Sequence, residues 1–251
     1  MIAKPAWPPA SCPRLYVATL LHDGLSIRID GAQAHYLINV MRSKTDDPVK
    51  LFDGVSGEWL ARVEAQGKRD LILRVEGQTR PLETVPDLWL AAAPIRRARF
   101  DLVVEKACEL GVARFIPLLT RRCVVDKINP ERLKAQVIEA AEQCGRTQLP
   151  VLEEPQLLAK FLQRVEPDRH IFFADEEGGM AMADAVKDRL GPAAVVIGPE
   201  GGFDQQERDT IKACPNAIAV SLGPRILRAE TAAITALSVW MAIAGDWRPA
   251  I

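Results

Sequence analysis

Between Arg14 and about Thr79 apolar and polar positions alternate in short runs, RLYVATL, LSIRID, VKLFDG, GEWLARVE and DLILRVE, separated by Asp-Gly, Gly and Lys/Arg turns. A period of two over a few residues, punctuated by turn formers, is the pattern of short strands with one buried face. Their regular spacing predicts a small β-barrel over 14–79. One helical insert, Gly31 to Arg42, interrupts the strands. The Pro-containing stretch from Arg80 to Asp87 reads as a linker.

From Leu88 the period changes, and short apolar runs alternate with helix-length amphipathic stretches. LWLAAAPI, RFIPLLT, HIFFADE, AAVVIGPEGG and AIAVSLGP are the predicted strands. The predicted helices are Arg99–Leu110, Pro130–Cys144, Gln156–Val165, Gly179–Leu190, Asp204–Ala213 and Ala229–Ala244. Strands alternating with helices predict an α/β domain over 88–251 with a mostly parallel sheet covered on both faces. Connectivity rules alone favour an unknotted doubly wound order. Phe172 and Phe173 fall in the strand core, and Trp59 and Trp89 read as packing residues. Ligands of such sheets bind at the carboxyl ends of the strands, so the loops after the strands are expected to carry the chemistry.

Composition narrows the class. At 48% apolar and 26% charged residues, with a formal net charge of -1, the chain is neither charged nor polar enough to be disordered. Its longest nearly apolar run, Ala232 to Ala244, is shorter than the ~18 residues of a membrane span and reads as a buried helix. Met1 to Pro13, with four prolines and no apolar core, reads as a loose leader rather than a secretory signal. Cys12, Cys108, Cys123, Cys144 and Cys214 are odd in number and show no C-x-x-C spacing. A reducing, cytoplasmic setting without structural zinc is the expectation. His22, His35 and His170 are scattered and pair with no ligand at metal spacing. Global neutrality hides a local bias: residues 1–80 carry a net of +2 and residues 81–251 a net of -3, and within the latter Arg96–Lys134 has ten basic residues against five acidic ones. Such a patch suits a phosphate backbone, and equally suits solvated helix faces.

Two strand-ending loops stand out, Ile197-Gly198-Pro199-Glu200-Gly201-Gly202-Phe203 and Leu222-Gly223-Pro224-Arg225-Ile226-Leu227-Arg228. Gly-Pro stops each apolar strand, and the glycines let backbone approach a ligand closely. Neither a Gly-Lys-Ser/Thr phosphate loop nor a G-x-G-x-x-G fingerprint is present. Glu200 among the glycines would oppose a phosphate and tolerate a cationic ligand such as an adenosyl sulfonium. Two tight turns are the plain alternative. In Glu139-Ala140-Ala141-Glu142-Gln143-Cys144-Gly145-Arg146, Gly145 is placed as a helix C-terminal glycine, with Gln143 and Arg146 as candidate substrate contacts. Glu230 stands in the first turn of the last helix, where an acid is also favoured by the helix dipole.

Those segments carry a resemblance. RLYV at 14–17, HYLINVMR at 35–42, VKLFDG at 49–54, EKACELGV at 105–112, PLLTRRCVV at 117–125, EAAEQCGR at 139–146, VIGPEGGF at 196–203 and SLGPRILRAETAAI at 221–234 together resemble the RsmE family of 16S rRNA (uracil-N3) methyltransferases, of the SPOUT superfamily. Met41 stands where the family has leucine, Arg96-Arg97-Ala98-Arg99 replaces a Lys-Gly-Asp-type segment, and residues 1–13 lie outside the pattern. The resemblance implies an N-terminal PUA-like barrel for RNA and a C-terminal α/β domain closed by a trefoil knot. It further implies S-adenosylmethionine as cofactor, 16S rRNA or the small ribosomal subunit as partner, and a homodimer, with neither membrane nor DNA involved. Carried over residue by residue, the cofactor would rest on Ala174, Ile197, Gly198, Gly202, Leu222, Gly223 and Leu227. RNA would meet Arg14, Arg42, Arg96, Arg97, Arg99, Arg121 and Arg122.

Uracil N3 becomes nucleophilic only after losing its proton, so the site needs a cation for the developing anion and a proton acceptor. Arg228 and Arg146 are the candidates for the first role and Glu230 for the second. A knotted methyltransferase acting on tRNA or on a ribose 2′-hydroxyl, and a non-enzymatic ribosome-assembly factor, remain as rival readings.

Overall fold

The computed structural model describes residues 12–125 and 127–247, and most of the Met1–Pro13 leader lies outside them. The chain divides into two compact units. The first comprises Met1–Thr84 with Ala141–Gln148, and the second comprises Val85–Ala140 with Leu149–Ile251. None of its helices, among the described residues, is long and apolar enough to cross a membrane.

In the first unit β1 (Arg14–Tyr16), β2 (Ser26–Ile29), helix α1 (Gly31–His35), β3 (Pro48–Phe52), β4 (Glu58–Gln66) and β5 (Leu71–Arg80) follow one another. The strands form one sheet in the order β1-β3-β4-β5-β2, with β1 parallel to β3 and the other neighbours antiparallel. Closure into the expected barrel would need β1 against β2, a pairing this order does not include. Alternation decides which face is buried: Leu71, Leu73 and Val75 point into the core, while Ile72 between them is 40% exposed. The predicted helical insert is shorter and looser than its pattern suggested. One α-turn gives way to a π-helical turn over Tyr36–Val40, ending at Arg42 with φ of +55°. The strand β5 also runs through Arg80, so the linker begins only at Pro81.

A buried ion cluster ties the first unit together. Glu58, 2% exposed, accepts hydrogen bonds from Arg14 Nε and Arg80 Nη2, both at 2.7 Å. The remaining nitrogens of Arg14 donate to the carbonyls of Ala141 and Arg146, each at 2.6 Å, and Arg80 Nη2 also reaches the Gly145 carbonyl at 2.6 Å. These carbonyls lie in the last turn of a helix and just beyond its end, where few backbone donors reach, and the guanidinium forks supply donors. Gly145, at φ +81°, is the glycine that turns the chain out of that helix.

The second unit runs β6 (Leu88–Ala92), α2 (Arg97–Glu109), β7 (Arg114–Leu119), α3 (Pro130–Cys144), β8 (Val151–Leu152), β9 (Gln156–Leu157), α4 (Leu158–Arg164), β10 (His170–Ala174), β11 (Met180–Ala181), α5 (Met182–Lys187), β12 (Ala193–Ile197), α6 (Gln205–Lys212), β13 (Ala217–Ser221) and α7 (Ala229–Ile243). All its strand pairs are parallel, in the order β11-β13-β10-β12-β6-β7-β8, with β9 beside β7. The central strands β6 and β12 are buried at every residue, which is why they read as unbroken apolar runs. Phe172 and Phe173 are fully buried, and Trp89, 7% exposed, has the Arg169 guanidinium 3.7 Å above its ring. Two predicted helices begin later than their patterns. Gln156 and Leu157 extend to pair with β7, and Met180 and Ala181 extend to pair with β13, before α4 and α5 start. Backbone pairing at a sheet margin outweighs helix propensity for residues that close a ladder.

The Glu58 cluster predicts an acid transition. Burial works to raise the carboxyl, but hydrogen bonds from Arg80 and Arg14 overcome it and hold the pKa at about 2, below the ordinary 4.5. Between those values the unfolded chain binds the proton and the folded one does not. The stabilisation is therefore present above pH 4.5 and is lost as pH falls toward 2. It amounts to roughly 3 kcal/mol. Urea titrations followed by NMR at amides of β4 and β5 should show this loss in the wild type. Glu58→Gln should be destabilised at neutral pH and should lack that part of the acid dependence; an unaltered acid dependence would contradict the assignment.

Candidate active site

Because β10, β12 and β13 are parallel neighbours, their carboxyl ends lie along one edge of the sheet. The loops that leave them, together with Ala229 and Ala232 of α7, enclose a cleft of about 390 Å³. All seven residues expected to hold the cofactor line it: Ala174 from the first loop, Ile197, Gly198 and Gly202 from the second, and Leu222, Gly223 and Leu227 from the third. Small and apolar side chains with backbone between them make part of its wall, and Asp175, Glu176, Glu177, Glu200, Arg208, Arg225 and Arg228 make the charged remainder.

Local chemistry shapes each loop. After β12, Gly202 takes φ +66° and donates its N–H to the Pro199 carbonyl at 2.9 Å. A Cβ on Gly202 would lie 2.5 Å from Glu176 Oε1, so no other residue fits without displacing that carboxylate. Phe203 is buried, with its ring 3.2 Å from where a Cβ on Gly198 would stand. The next residue, Asp204, caps α6: its Oδ1 accepts the Glu207 N–H at 2.7 Å, while Glu207 Oε2 accepts the Asp204 N–H at 3.1 Å. After β13, Gly223 takes φ +115°. In the third loop Ile226 stands in solvent, 91% exposed.

The first loop carries an ion cluster that no linear spacing announces. Asp175, Glu176 and Glu177 follow β10 directly, and one guanidinium from α6 holds all three. Arg208 Nε lies 3.0 Å from Asp175 Oδ1, Nη2 lies 3.5 Å from Glu176 Oε1, and Nη1 lies 2.6 Å from Glu177 Oε1. Lys212 Nζ adds a contact to Asp175 Oδ2 at 3.3 Å. Asp175 and Arg208 are both buried, so this grip is made in low dielectric and fixes the loop. Arg208 lines the cleft while only 4% exposed, a placement the helix pattern of Asp204–Ala213 does not specify.

Several arginines of the basic segment also serve the cleft from outside. Arg99 lies 3.7 Å from Glu200 on the second loop and 3.5 Å from Glu230 in α7. Arg122 Nη1 donates to the Gly201 carbonyl at 2.6 Å, and Arg121 pairs with Asp204 at 3.1 Å. Arg96 and Arg97, at the start of α2, are exposed and make no ion pair among the described residues.

Among the chemical candidates, Arg228 lines the cleft as the N-cap residue of α7, exposed and without an ion pair among the described residues. Glu230, the expected proton acceptor, is 9% exposed, pairs with Arg99 and is not among the residues that line the cleft, although Ala229 and Ala232 beside it are. Arg146 is the second expected cation. Its side chain is 4% exposed within the first unit, where Nε donates to the Gln148 carbonyl and lies 3.8 Å from Glu83. Arg14, expected at RNA, spends its three nitrogens on Glu58, Ala141 and Arg146. Arg42 remains exposed in its left-handed turn.

With this geometry established, comparisons with known proteins agree. Residues 82–241 match the family model of the RNA methyltransferase domain, and residues 29–76 match that of the RNA methyltransferase PUA domain. The chain is 34% identical over 229 residues to ribosomal RNA small subunit methyltransferase E of Rickettsia conorii, covering 90% of this chain and 93% of that one. A methyltransferase of Legionella pneumophila, solved in complex with the bound cofactor SAM, is 32% identical with a TM-score of 0.84 over 94% of this chain and 99% of that one. Ribosomal RNA small subunit methyltransferase E from Neisseria gonorrhoeae, solved bound to S-adenosyl methionine, is 25% identical with a TM-score of 0.85 over 94% of this chain and 100% of that one.

The Arg208 grip yields a direct test. Arg208→Ala leaves the buried Asp175 carboxylate with Lys212 alone and should cost about 3–5 kcal/mol of local stability. Hydrogen exchange of the 174–179 amides should accelerate accordingly, and Lys212→Ala, an exposed partner, should change it far less. Equal exchange in wild type and Arg208→Ala would remove the cluster from the account.

Proposed function

The chain belongs to the RNA methyltransferase family that includes ribosomal RNA small subunit methyltransferase E, and we propose that it transfers a methyl group from S-adenosylmethionine to N3 of a uridine in 16S rRNA. The observation that carries the reading is the convergence of three glycine-bearing strand-end loops on one cleft with apolar and charged walls. Its fit to the cofactor rests on the residues present. Gly198, Gly202 and Gly223 leave backbone open to a nucleoside, Ile197, Leu222 and Leu227 offer apolar walls, and Glu176 and Glu200 bring negative charge suited to a sulfonium. When bound, S-adenosylmethionine supplies the electrophilic methyl group.

The rest belongs to the protein's own side chains. Uracil N3 must sit in line with the methyl group, which requires a walled site and a base withdrawn from pairing. As N3 loses its proton, to water or to the Glu230 carboxylate, negative charge spreads over O2 and O4, and Arg228 is a cation at the cleft free to meet it. The N-terminus of α7 adds partial positive charge at the same wall. Arg99 acts at one remove, holding the Glu200 loop to α7. The exposed Arg42, Arg96 and Arg97 are left for the RNA backbone.

The reading includes a PUA-like barrel in the first unit, a trefoil knot in the second, a homodimer and a cytoplasmic site of action.

Nucleoside mass spectrometry of small-subunit rRNA treated with the protein and S-adenosylmethionine tests the activity. N3-methyluridine is the expected product; a ribose-methylated nucleoside or no methylated product would overturn the reading. Arg228→Ala should lower the single-turnover rate roughly 10²–10³-fold with ligand affinities little changed, as for loss of one preorganised donor. A variant that binds both ligands and reacts at the wild-type rate would remove Arg228 from the chemistry.

A further inference from the structure

The second unit has another cavity, of about 310 Å³, between the starts of α2 and α3. Its floor is apolar: Ile95, Phe100 and Leu133 line it and are 1%, 5% and 4% exposed. Its rim carries Arg97, Lys127 and Arg132, with Asp101 as the single acid among the described lining residues. Arg132 is engaged with Asp101, whereas Arg97 and Lys127 are exposed and make no ion pair among the described residues. With Arg132 paired to Asp101, the charges of Arg97 and Lys127 are the ones left for an anion at the rim. The amino ends of both helices add to the same potential. An apolar floor under an anion-seeking rim matches a nucleotide, with a flat base and a phosphate.

We infer that this cavity is a subsite for one further nucleotide of the RNA substrate, its base on Ile95, Phe100 and Leu133 and its phosphate against Arg97 and Lys127. The inference rests on the reading above that the substrate is RNA. Continuity with the cleft supports it. Arg97 stands two residues from Arg99, which reaches Glu200 of the cleft wall. Val125, also in the cavity lining, stands three residues from Arg122, which holds the Gly201 carbonyl. An RNA strand with its target base in the cleft therefore has a second seat beside it.

Photo-crosslinking of the full chain to 16S rRNA transcripts carrying sparse 4-thiouridine tests the seat directly. Crosslinked peptides should include 95–101 or 127–133, and uridine monophosphate should suppress them more strongly than inorganic phosphate. Absence of those crosslinks would overturn the inference, and equal competition by phosphate would overturn its base-binding part. Arg97→Gln with Lys127→Gln should weaken RNA binding and flatten its salt dependence by about 0.7 in log–log slope for each single-strand phosphate no longer neutralised. Affinity for S-adenosylmethionine should not move, and Lys160→Glu, an exposed change on α4, should leave the slope intact. A wild-type protein that methylates rRNA while the double variant keeps the full salt slope would sink this subsite alone. A wild-type protein that transfers no methyl group would sink the proposed function instead.

Discussion

Parallel strands deliver all their carboxyl ends to one edge, and the candidate site depends on that constraint. Strands β10, β12 and β13 are far apart in sequence but adjacent in the sheet, so three separate loops meet over one cleft. β12 is buried along its whole length and β10 at its three central residues, which gives their loops rigid bases, while β13 is half-buried. Rigid loop bases are what a methyl transfer requires, because holding the reacting atoms in line removes a large share of the barrier.

Charge is used mostly to hold those loops, and this changes the meaning of the basic residues. Arg208 collects three carboxylates under the first loop, Arg122 and Arg121 hold the second, and Arg99 ties the second to α7. In the first unit Arg14 and Arg80 do comparable work on Glu58 and on helix-end carbonyls. Guanidinium suits these tasks because one planar group serves several acceptors at fixed angles. Arg42, Arg96, Arg97, Lys127 and Arg228 make no ion pair among the described residues and stay available to the contacts proposed for them.

Local pattern made the element types legible. Unbroken apolar runs marked β6 and β12 as central strands, and Gly-Pro after each of two strands marked the cleft loops. The hydrophobic period could not show that Gln156 and Met180 would extend to close ladders before their helices began, since that depends on a neighbouring strand's free edge. Nor could it distinguish Arg14, buried on Glu58, from Arg42, exposed in a left-handed turn. Both are arginines in a strand-rich segment, and the difference lies in long-range acceptors. The Asp175–Arg208 pair was hidden for the same reason: its members are brought together by tertiary packing of α6 beneath the loop after β10. Of the candidate site, the backbone-lined walls were readable in the sequence, while the ion pairs that stiffen them were not.

The central claim is that the three-loop cleft binds S-adenosylmethionine through backbone exposed at glycine. Calorimetric titration of S-adenosylmethionine into the wild type and Gly202→Val, with circular dichroism of both, tests it most directly. The account predicts one site per chain in the wild type and loss of binding in a folded variant, because Gly202 holds φ +66° against Glu176. Wild-type affinity in a folded Gly202→Val protein would contradict it.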